Sequence, residues 1–488
     1  MREARHKKGS STGSGVTYHV DALAGDDSAG GGVAAPWRSL ERVNRQVFAP
    51  GDVLLFRSGC RWQGQLRPQG SGTGEAPIRI DRYGEGPRPV IDMGAATGAV
   101  VQLSNQEHWE IRHLELTSGA PVAREHRQGV SVLGEGAGRV FRHIVVSDCH
   151  IHDLWGLLGS RYQGIDSYTS SAILVASPRG EQVATFDDVL IENNRIERVD
   201  RSGIIIWTPT AGPSATRVVL RGNRMENLGG DAILVLGSIG PLVEYNVVHY
   251  SCMRSGHPDV VLPDSGIGYN ACAAAIWMHT CDHGIMQFNE VYDTNVFGNN
   301  YDGQAYDFDF GCRHCVLQYN YSRHNHGGWL LIMPTAEHNI ARFNISENDL
   351  ARLMCGGSSL DAGNHLHNNV FYLDYCTVEV FTNAIYSNNI FYAAGQGRFK
   401  ISSRKPGLLS HNVYFGPWSG PLPDDAGAML DDPRFVAPGS GGVGLDSLAG
   451  YRLRPDSPCR DRGLPITHPG ERDFWGGALA DVERKIGA

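Results

Sequence analysis

Two aspartates separated by one residue are the strongest candidates for chemistry in this chain of 488 residues. They stand in the segment Tyr306-Asp307-Phe308-Asp309-Phe310, where aromatic and acidic residues alternate. In a β-strand, alternate side chains leave the same face, so the two carboxyl groups would lie about 6.6 Å apart at roughly 3.3 Å per residue. Two carboxyl groups on one face can perform acid/base catalysis, one as a general acid and the other as a general base.

The same alternation predicts which face of the strand is buried. Burying two unpartnered carboxylates would cost several kcal/mol each, whereas burying aromatic rings is favourable. We therefore expect Tyr306, Phe308 and Phe310 to fill the core, and Asp307 and Asp309 to face outward in a groove.

The neighbours of the two aspartates follow from an alignment of the chain on its recurring asparagines. This alignment sets Asp307 beside Ile276 and Leu331. It likewise sets Asp309 between two methionines, Met278 and Met333. Apolar neighbours raise the pKa of a carboxyl group, which a general acid needs at neutral pH.

The expected separation lies at the lower edge of the range of about 6.5–9.5 Å that suits inverting glycoside hydrolysis, so it favours inversion. This chemistry requires no cofactor. The alternative is that the aspartates bind Ca²⁺, cap turns or pair with arginines. Asp302, in the dipeptide Asp302-Gly303, is expected to serve the turn more than to act as a third catalytic acid.

Basic and aromatic residues surround this segment in the sequence and are candidates for substrate binding. Each histidine alone is more often a satisfied surface residue, and each tryptophan is at least as often part of the core. Residues that could bind sugar hydroxyls or an acidic sugar are His279, Arg313, Arg323, His324 and His326, with His283 and His314 close by in sequence. Residues that could stack on a sugar ring are Trp277, Tyr301 and Trp329.

Composition excludes several classes of partner. A formal net charge of −9, from 43 basic and 52 acidic residues, argues against nucleic-acid binding. No apolar run approaches the roughly 20 residues that span a bilayer, so no membrane span is expected.

The ten cysteines are scattered, and the lone Cys312-Arg313-His314-Cys315 is a weak zinc signal, so buried thiols with one or two disulfides are expected. The oligomeric state is not determined by these features.

An asparagine recurs inside β-rich segments and predicts a solenoid. Successive steps of 20 to 43 residues, most of them between 20 and 31, suit coils of three short strands with variable turns. Asparagine tolerates the left-handed backbone conformation, and its amide can bond to the equivalent amide one coil away. The recurring residues are Asn194, Asn223, Asn246, Asn289, Asn320, Asn344, Asn369, Asn389 and Asn412.

The sequence divides into four expected segments. Residues 1–15 look like a tag or disordered lead-in, and residues 16–100 like an N-terminal cap with the first strands. Residues 101–416 carry the coils. Residues 417–488 are expected to form a C-terminal capping tail, because the apolar ends of a solenoid need covering.

Eight short segments spread along the chain carry a family resemblance. They are PWRSL at 36–40, PGD at 50–52, YGEG at 83–86, DGQAYDFD at 302–309, QYNYS at 318–322, GG at 327–328, YRLRPDSP at 451–458 and DFWG at 473–476. In these segments the chain resembles secreted bacterial right-handed parallel β-helix proteins of the pectate-lyase-like superfamily, which includes polysaccharide lyases and glycoside hydrolases. The resemblance covers nearly the whole chain and implies an all-β fold and a secreted or periplasmic location. One departure is Asn325-His326, where relatives often carry an acidic residue before the glycine pair.

Three functions fit these observations. The leading hypothesis is a carbohydrate-active enzyme, a glycoside hydrolase that acts on a polysaccharide or oligosaccharide through paired carboxyl groups. The second is a polysaccharide lyase that uses Arg, His or Tyr to remove a proton beside a uronate carboxylate, although the chain has no lysine between Gly9 and Phe399. The third is a non-catalytic carbohydrate-binding β-helix, because a fold alone does not specify function.

Overall fold

Parallel strands stack into a right-handed β-helix, which confirms the predicted fold class. The computed structural model describes residues 15–119, 126–156, 170–178, 183–208, 214–253, 273–296, 302–350, 353–356, 362–374, 376–380, 384–401, 408–467, 470–479 and 484–488. Along the coils, successive strands of the chain mostly belong to different sheets, and strands of the same sheet pair in parallel from one coil to the next. Among the described residues, no helix is both long and apolar enough to cross a bilayer.

The first sheet runs the length of the molecule. Its strands are Thr17–Val20, Val53–Arg57, Ile78–Tyr83, Trp109–Arg112, Val140–Ser147, Thr185–Glu192, Ala215–Arg221, Ser238–Ile239, Leu242–Glu244, Ile285–Gln287, Val316–Gln318, Ile340–Arg342, Asn364–His367, Ala384–Ser387 and Leu409–Ser410.

The second sheet follows the first across a short turn that carries the recurring asparagine. Its strands are Arg61–Gln63, Val90–Asp92, Glu115–Ser118, His150–Leu154, Arg195–Val199, Arg224–Leu228, Val247–His249, Glu290–Tyr292, Tyr321–Arg323, Ile345–Glu347, Val370–Leu373, Ile390–Ala393 and Val413–Phe415.

The third sheet closes the coil and contains the acidic strand. Its strands are Gly98–Ser104, Arg127–Leu133, Ser171–Ala176, Ser202–Trp207, Ile233–Leu236, Ile276–His279, Tyr306–Phe308, Leu330–Ile332 and Met354–Gly356. A smaller sheet of Cys376–Val380, Gly397–Ile401 and Trp418–Ser419 lies beyond it in the chain. The described helices are short: an α-helix at Leu40–Asn44 and 3₁₀ helices at Leu445–Tyr451 and Pro458–Arg460.

The recurring asparagines form the predicted ladder. Each side-chain amide donates to the side-chain oxygen of the next at 2.9–3.0 Å, from Asn194 to Asn412, and Asn412 donates to Asp425 at 2.7 Å. The prediction that these asparagines adopt the left-handed conformation was wrong. The residue before each one does so, as at Tyr319 with a φ of 57°, and this leaves the asparagine amide free to point along the stack.

The hydrophobic core lies in the bore, which is the interior of the β-helix, where the inward-facing side chains of successive coils stack. Cys312 and Cys315 both lie in this core, as expected for buried thiols. The cysteines described as free, and therefore not part of the expected disulfides, are Cys60, Cys149, Cys252, Cys281, Cys312, Cys315 and Cys459.

The tail packs along the side of the helix as well as over its end. Isolated parallel bridges from Ala426 and Met429 extend the stack beyond its last strands. The following residues return along the outer face of the second sheet, where the Tyr451 hydroxyl donates to Glu347 at 2.6 Å and the Gly444 amide donates to Glu290 at 2.9 Å. Apolar side chains on that outer face explain this course, because they need covering.

Candidate active site

The faces of the acidic strand agree with the alternation in its sequence. Tyr306 and Phe308 point into the bore and belong to the main core, so Asp307 between them leaves the opposite face of the third sheet. Asp307 pairs with Trp277 on one side and with Leu331 on the other.

The predicted neighbour Leu331 is confirmed, and the predicted neighbour Ile276 was wrong by one residue. The segment from the third sheet to the ladder asparagine is one residue shorter in the coil that ends at Asn289 than in the coil that ends at Asn320. An alignment on asparagines therefore slips by one position, which changes the face that each side chain occupies.

The prediction that Asp307 faces water was wrong. Its exposed fraction is 5%, and its Oδ1 is buried without a hydrogen-bond partner among the described residues. Burial, with smaller contributions from the nearby charges of Asp309, Asp302 and Asp231, raises the pKa of Asp307 well above its usual range. Burial therefore favours the protonated form of the carboxyl group, which offers a hydrogen-bond donor.

Asp309 lies just beyond the strand, at the rim of the same face. Its backbone N–H donates to Met278 at 2.9 Å, and its Oδ1 accepts from the Phe310 N–H at 2.7 Å. Burial raises the pKa of Asp309 to about 6. The prediction that Phe310 fills the bore was wrong, because the strand ends at Phe308 and Phe310 is 41% exposed.

Asp302 precedes Asp307 in irregular backbone, and the turn expected at Asp302-Gly303 is not formed. Gly303 has a φ of 93°, and a Cβ at Gly327 in the next coil would lie 2.3 Å from the Gly303 carbonyl carbon, so the two glycines let successive coils stack. Asp302 is half-buried and close enough to Asp307 for its charge to raise the pKa of that carboxyl group. This segment therefore brings a third carboxyl group to the site.

Sequence reasoning missed a fully buried ion pair beside these acids. The Nη2 atom of Arg201 lies 3.2 Å from Asp231 Oδ2, and both side chains are buried. Asp231 also accepts hydrogen bonds from Ser202 at 3.1 Å and from the Trp277 indole Nε1 at 2.9 Å. An alignment of coils would have found Asp231, because it lies two residues before Ile233, the first residue of a strand in the third sheet.

Trp277 is therefore neither a residue of the bore nor an open stacking platform. It belongs to an apolar cluster on the outer face of the third sheet, with its indole bonded to Asp231. The other buried members of this cluster are Leu174, Ala176, Ile205, Trp207, Leu234, Leu236 and Ala274.

Two of the predicted histidines lie near the acids. His279 follows Met278 on the strand beside Asp309, and its ring centroid is 6.3 Å from that of Phe310. His326 is exposed and directly precedes Gly327, which packs closely on the backbone of Asp302 and Gly303. Tyr301 lies outside the described residues.

The remaining predicted binding residues lie elsewhere. Trp329 is fully buried in the bore against Phe371, which is the core alternative. Arg323 pairs with Glu347 at 3.2 Å on the second sheet, and its neighbour His324 lies 3.8 Å from Asp293.

Arg313 is also remote from the acids. It is exposed, forms backbone bridges to its neighbours at the first sheet, and lies 3.6 Å from Glu337. The sequence placed these residues close to the acids because they are near in the chain, but successive strands of a coil face different sides of the helix.

The chain has relatives among known proteins, although no protein-family model matches it. It is 26% identical, over 96% of its length, to a lacto-N-biosidase from Bifidobacterium longum subsp. longum, and it spans 36% of that relative's length. It is similar to the structure of a GH136 lacto-N-biosidase from Eubacterium ramulus, with a TM-score of 0.63 and 23% identity over 85% of this chain and 68% of that one. It is also similar to XylC in complex with xylose, with a TM-score of 0.50 and 10% identity over 87% of this chain and 88% of that one. The solved structures agree with the β-helix fold.

Proposed function

We propose that this chain is a glycoside hydrolase that cleaves an oligosaccharide at the outer face of the third sheet. The observation that carries the proposal is the group of three carboxyls, Asp302, Asp307 and Asp309, of which Asp309 has a pKa of about 6. A carboxylic acid with such a pKa is protonated below about pH 6, stays partly protonated closer to neutral pH than an ordinary aspartate, and can release its proton, as a general acid must.

The three acids have different roles in this proposal. Asp309 protonates the leaving oxygen of the glycosidic bond. Asp302, the half-buried carboxylate, activates water or attacks the sugar. Asp307 stays neutral and donates a hydrogen bond to the substrate, because its burial holds the proton on the carboxyl group.

The stereochemical outcome depends on which carboxylate partners the acid. The expected spacing of Asp307 and Asp309 favours inversion. That pairing does not supply a base, however, because a protonated Asp307 cannot accept the proton from water. The separation of Asp302 and Asp309 in the substrate complex decides between inversion and retention. Proton NMR of the first-formed sugar anomer distinguishes the two outcomes.

Lacto-N-biosidase activity is the first to test, because the relatives over most of this chain carry that name. The lyase alternative has less support, since Arg313, Arg323 and His324 lie away from the acids. The secreted or periplasmic location stays a prediction.

The decisive experiment measures release of lacto-N-biose from lacto-N-biosides, together with a screen of other oligosaccharides for new reducing ends and for the ultraviolet absorbance of a lyase product. Asp309→Asn and Asp302→Asn should each lower kcat by roughly 10²–10⁴-fold. Asp456→Asn, a change on the exposed tail, is the matched control. Hydrolysis that survives both site substitutions would contradict the assignment, and absorbance without new reducing ends would favour the lyase.

A further inference from the structure

Two histidines on one strand face outward near the N-terminal end of the second sheet. His150 and His152 flank Ile151, which is buried in the core, so both imidazoles leave the outer face. Their ring centroids are 4.3 Å apart, and their side chains are only 22% and 15% exposed. Two neighbouring imidazoles on one rigid strand form a pair of preoriented nitrogen ligands.

A carboxylate from the preceding coil completes a set of three ligands. Glu115 Oε1 lies 3.3 Å from His152 Nε2. One ligand atom each from Glu115, His150 and His152 lie within 4.8 Å of one another. Ligands bound to Zn²⁺ at about 2.0–2.2 Å in a tetrahedron are roughly 3.4 Å apart, so small side-chain rotations bring the set to this spacing.

From this geometry we infer that Glu115, His150 and His152 bind a divalent transition-metal ion such as Zn²⁺. Two imidazoles and one carboxylate are typical ligands of Zn²⁺, and they leave a fourth position for water. Ca²⁺ does not fit, because it takes six to eight oxygen ligands.

A second layer of contacts orients the ligands. His152 Nδ1 lies 2.6 Å from Asp153 Oδ2, which directs Nε2 toward Glu115. Arg198 holds Asp153 in turn, through hydrogen bonds of 2.6 and 2.9 Å.

Glu197 lies beside this set without joining it. Its Oε1 is 3.1 Å from His150 Nε2, but Arg195 and Arg198 both pair with its carboxylate. Metal binding exchanges the bond between His150 and Glu197 for a bond to the ion, while the two arginines continue to satisfy Glu197. The site is on a different sheet from Asp302, Asp307 and Asp309, so it does not depend on the proposed catalytic function.

The test is Zn²⁺ binding to the EDTA-treated full-length chain, measured by calorimetry, with Co²⁺ absorption spectra as a report of tetrahedral coordination. The wild-type chain should bind an ion with both imidazole ligands. His152→Gln and Glu115→Gln should abolish this binding, and Asp153→Asn should weaken it by roughly 10–100-fold. Glycosidase activity and the circular dichroism spectrum should stay unchanged in His152→Gln.

The control addresses the other histidine cluster of the described residues. Asp282, His283 and His314 also come together, but their side chains are far more exposed. His314→Gln should leave the Zn²⁺ affinity as it is. The inference is wrong if no Zn²⁺ binds to the wild-type chain, which would leave the Glu115 cluster as an ion-pair network, or if His314→Gln removes the binding that His152→Gln retains.

Discussion

At the level of single residues, Asp307 and Asp309 differ in their surroundings although they are two residues apart. Asp307 has apolar strand neighbours and an oxygen that is buried with no hydrogen-bond partner in the described part of the chain, so its environment favours the protonated form. Asp309 sits at the rim, where burial is less complete and a backbone N–H offsets part of its effect. Position along one short segment therefore raises the pKa values of neighbouring carboxyl groups by different amounts.

The pKa of Asp309 predicts the alkaline limb of the pH profile. A general acid must be protonated in the free enzyme, so kcat/KM should fall as pH rises above about 6. Steady-state rates measured from pH 4 to 9 test this prediction. A profile that stays flat from pH 5 to 8 would show that Asp309 is not the acid.

Asp307 should tolerate an amide better than Asp309 does. Asparagine is neutral and keeps a hydrogen-bond donor, so Asp307→Asn should cost about tenfold or less in kcat, whereas Asp307→Ala removes the donor and should cost about 10²-fold. The kcat ratio of these two variants is the measurement. Equal and large losses in both would mean that the ionised form of Asp307 is needed.

The raised pKa of Asp309 also predicts a dependence of stability on pH. Because the folded-state pKa is about 6 and the unfolded value is 3.8, stability falls as pH rises through the interval between them, by at most about 3 kcal/mol. Asp309→Asn should therefore have a higher Tm than the wild-type chain at pH 8 and nearly the same Tm at pH 4. A variant that is less stable at pH 8 would contradict the assigned burial.

At the level of strands and turns, the sequence predicts periodic features well and local irregularities poorly. The asparagine ladder and the inward faces of Tyr306 and Phe308 follow patterns that recur from coil to coil, so they could be found without coordinates. Phe310 was misplaced because nothing in its alternation marks the end of the strand. The pairing of Asp307 with Trp277 was missed because one coil has a shorter turn.

The ladder predicts a large cost for removing one of its central members. The Asn320 side chain accepts from the backbone and amide of Asn289 and donates to Asn344 and to two backbone carbonyls. Asn320→Ala leaves these buried groups unpaired and should lower the free energy of unfolding by about 2–4 kcal/mol. Urea denaturation provides the measurement.

A matched control for the ladder is Asn227, an exposed asparagine with a φ of 58°. Asn227→Gly suits that backbone conformation and should change the free energy of unfolding by less than about 0.5 kcal/mol. Similar costs at Asn227 and Asn320 would mean that the ladder bonds do not stabilise the stack.

At the level of the whole molecule, the C-terminal tail covers part of the outer face of the second sheet. The outer face of the second sheet changes along its length from the polar cluster around His150 to apolar residues such as Ile345, Val370 and Ile390, and the tail packs on the apolar part. Since each coil contacts chiefly its neighbours, a segment that crosses several coils couples them to one another.

Tyr451 is the residue that best tests this coupling. Its ring is buried between the tail and the second sheet, and its hydroxyl donates to the buried Glu347 at 2.6 Å. Tyr451→Ala should destabilise the tail by about 3–5 kcal/mol and expose residues beyond 417 to protease while the coils stay intact. Limited proteolysis with mass spectrometry measures the cleavage sites, and Leu430→Ala, at a residue 61% exposed, is the control. Because the tail covers apolar residues of several coils, its release should also lower the Tm of the coils. A Tm that is unchanged while the tail is cleaved would show that the stack is stable without its cover.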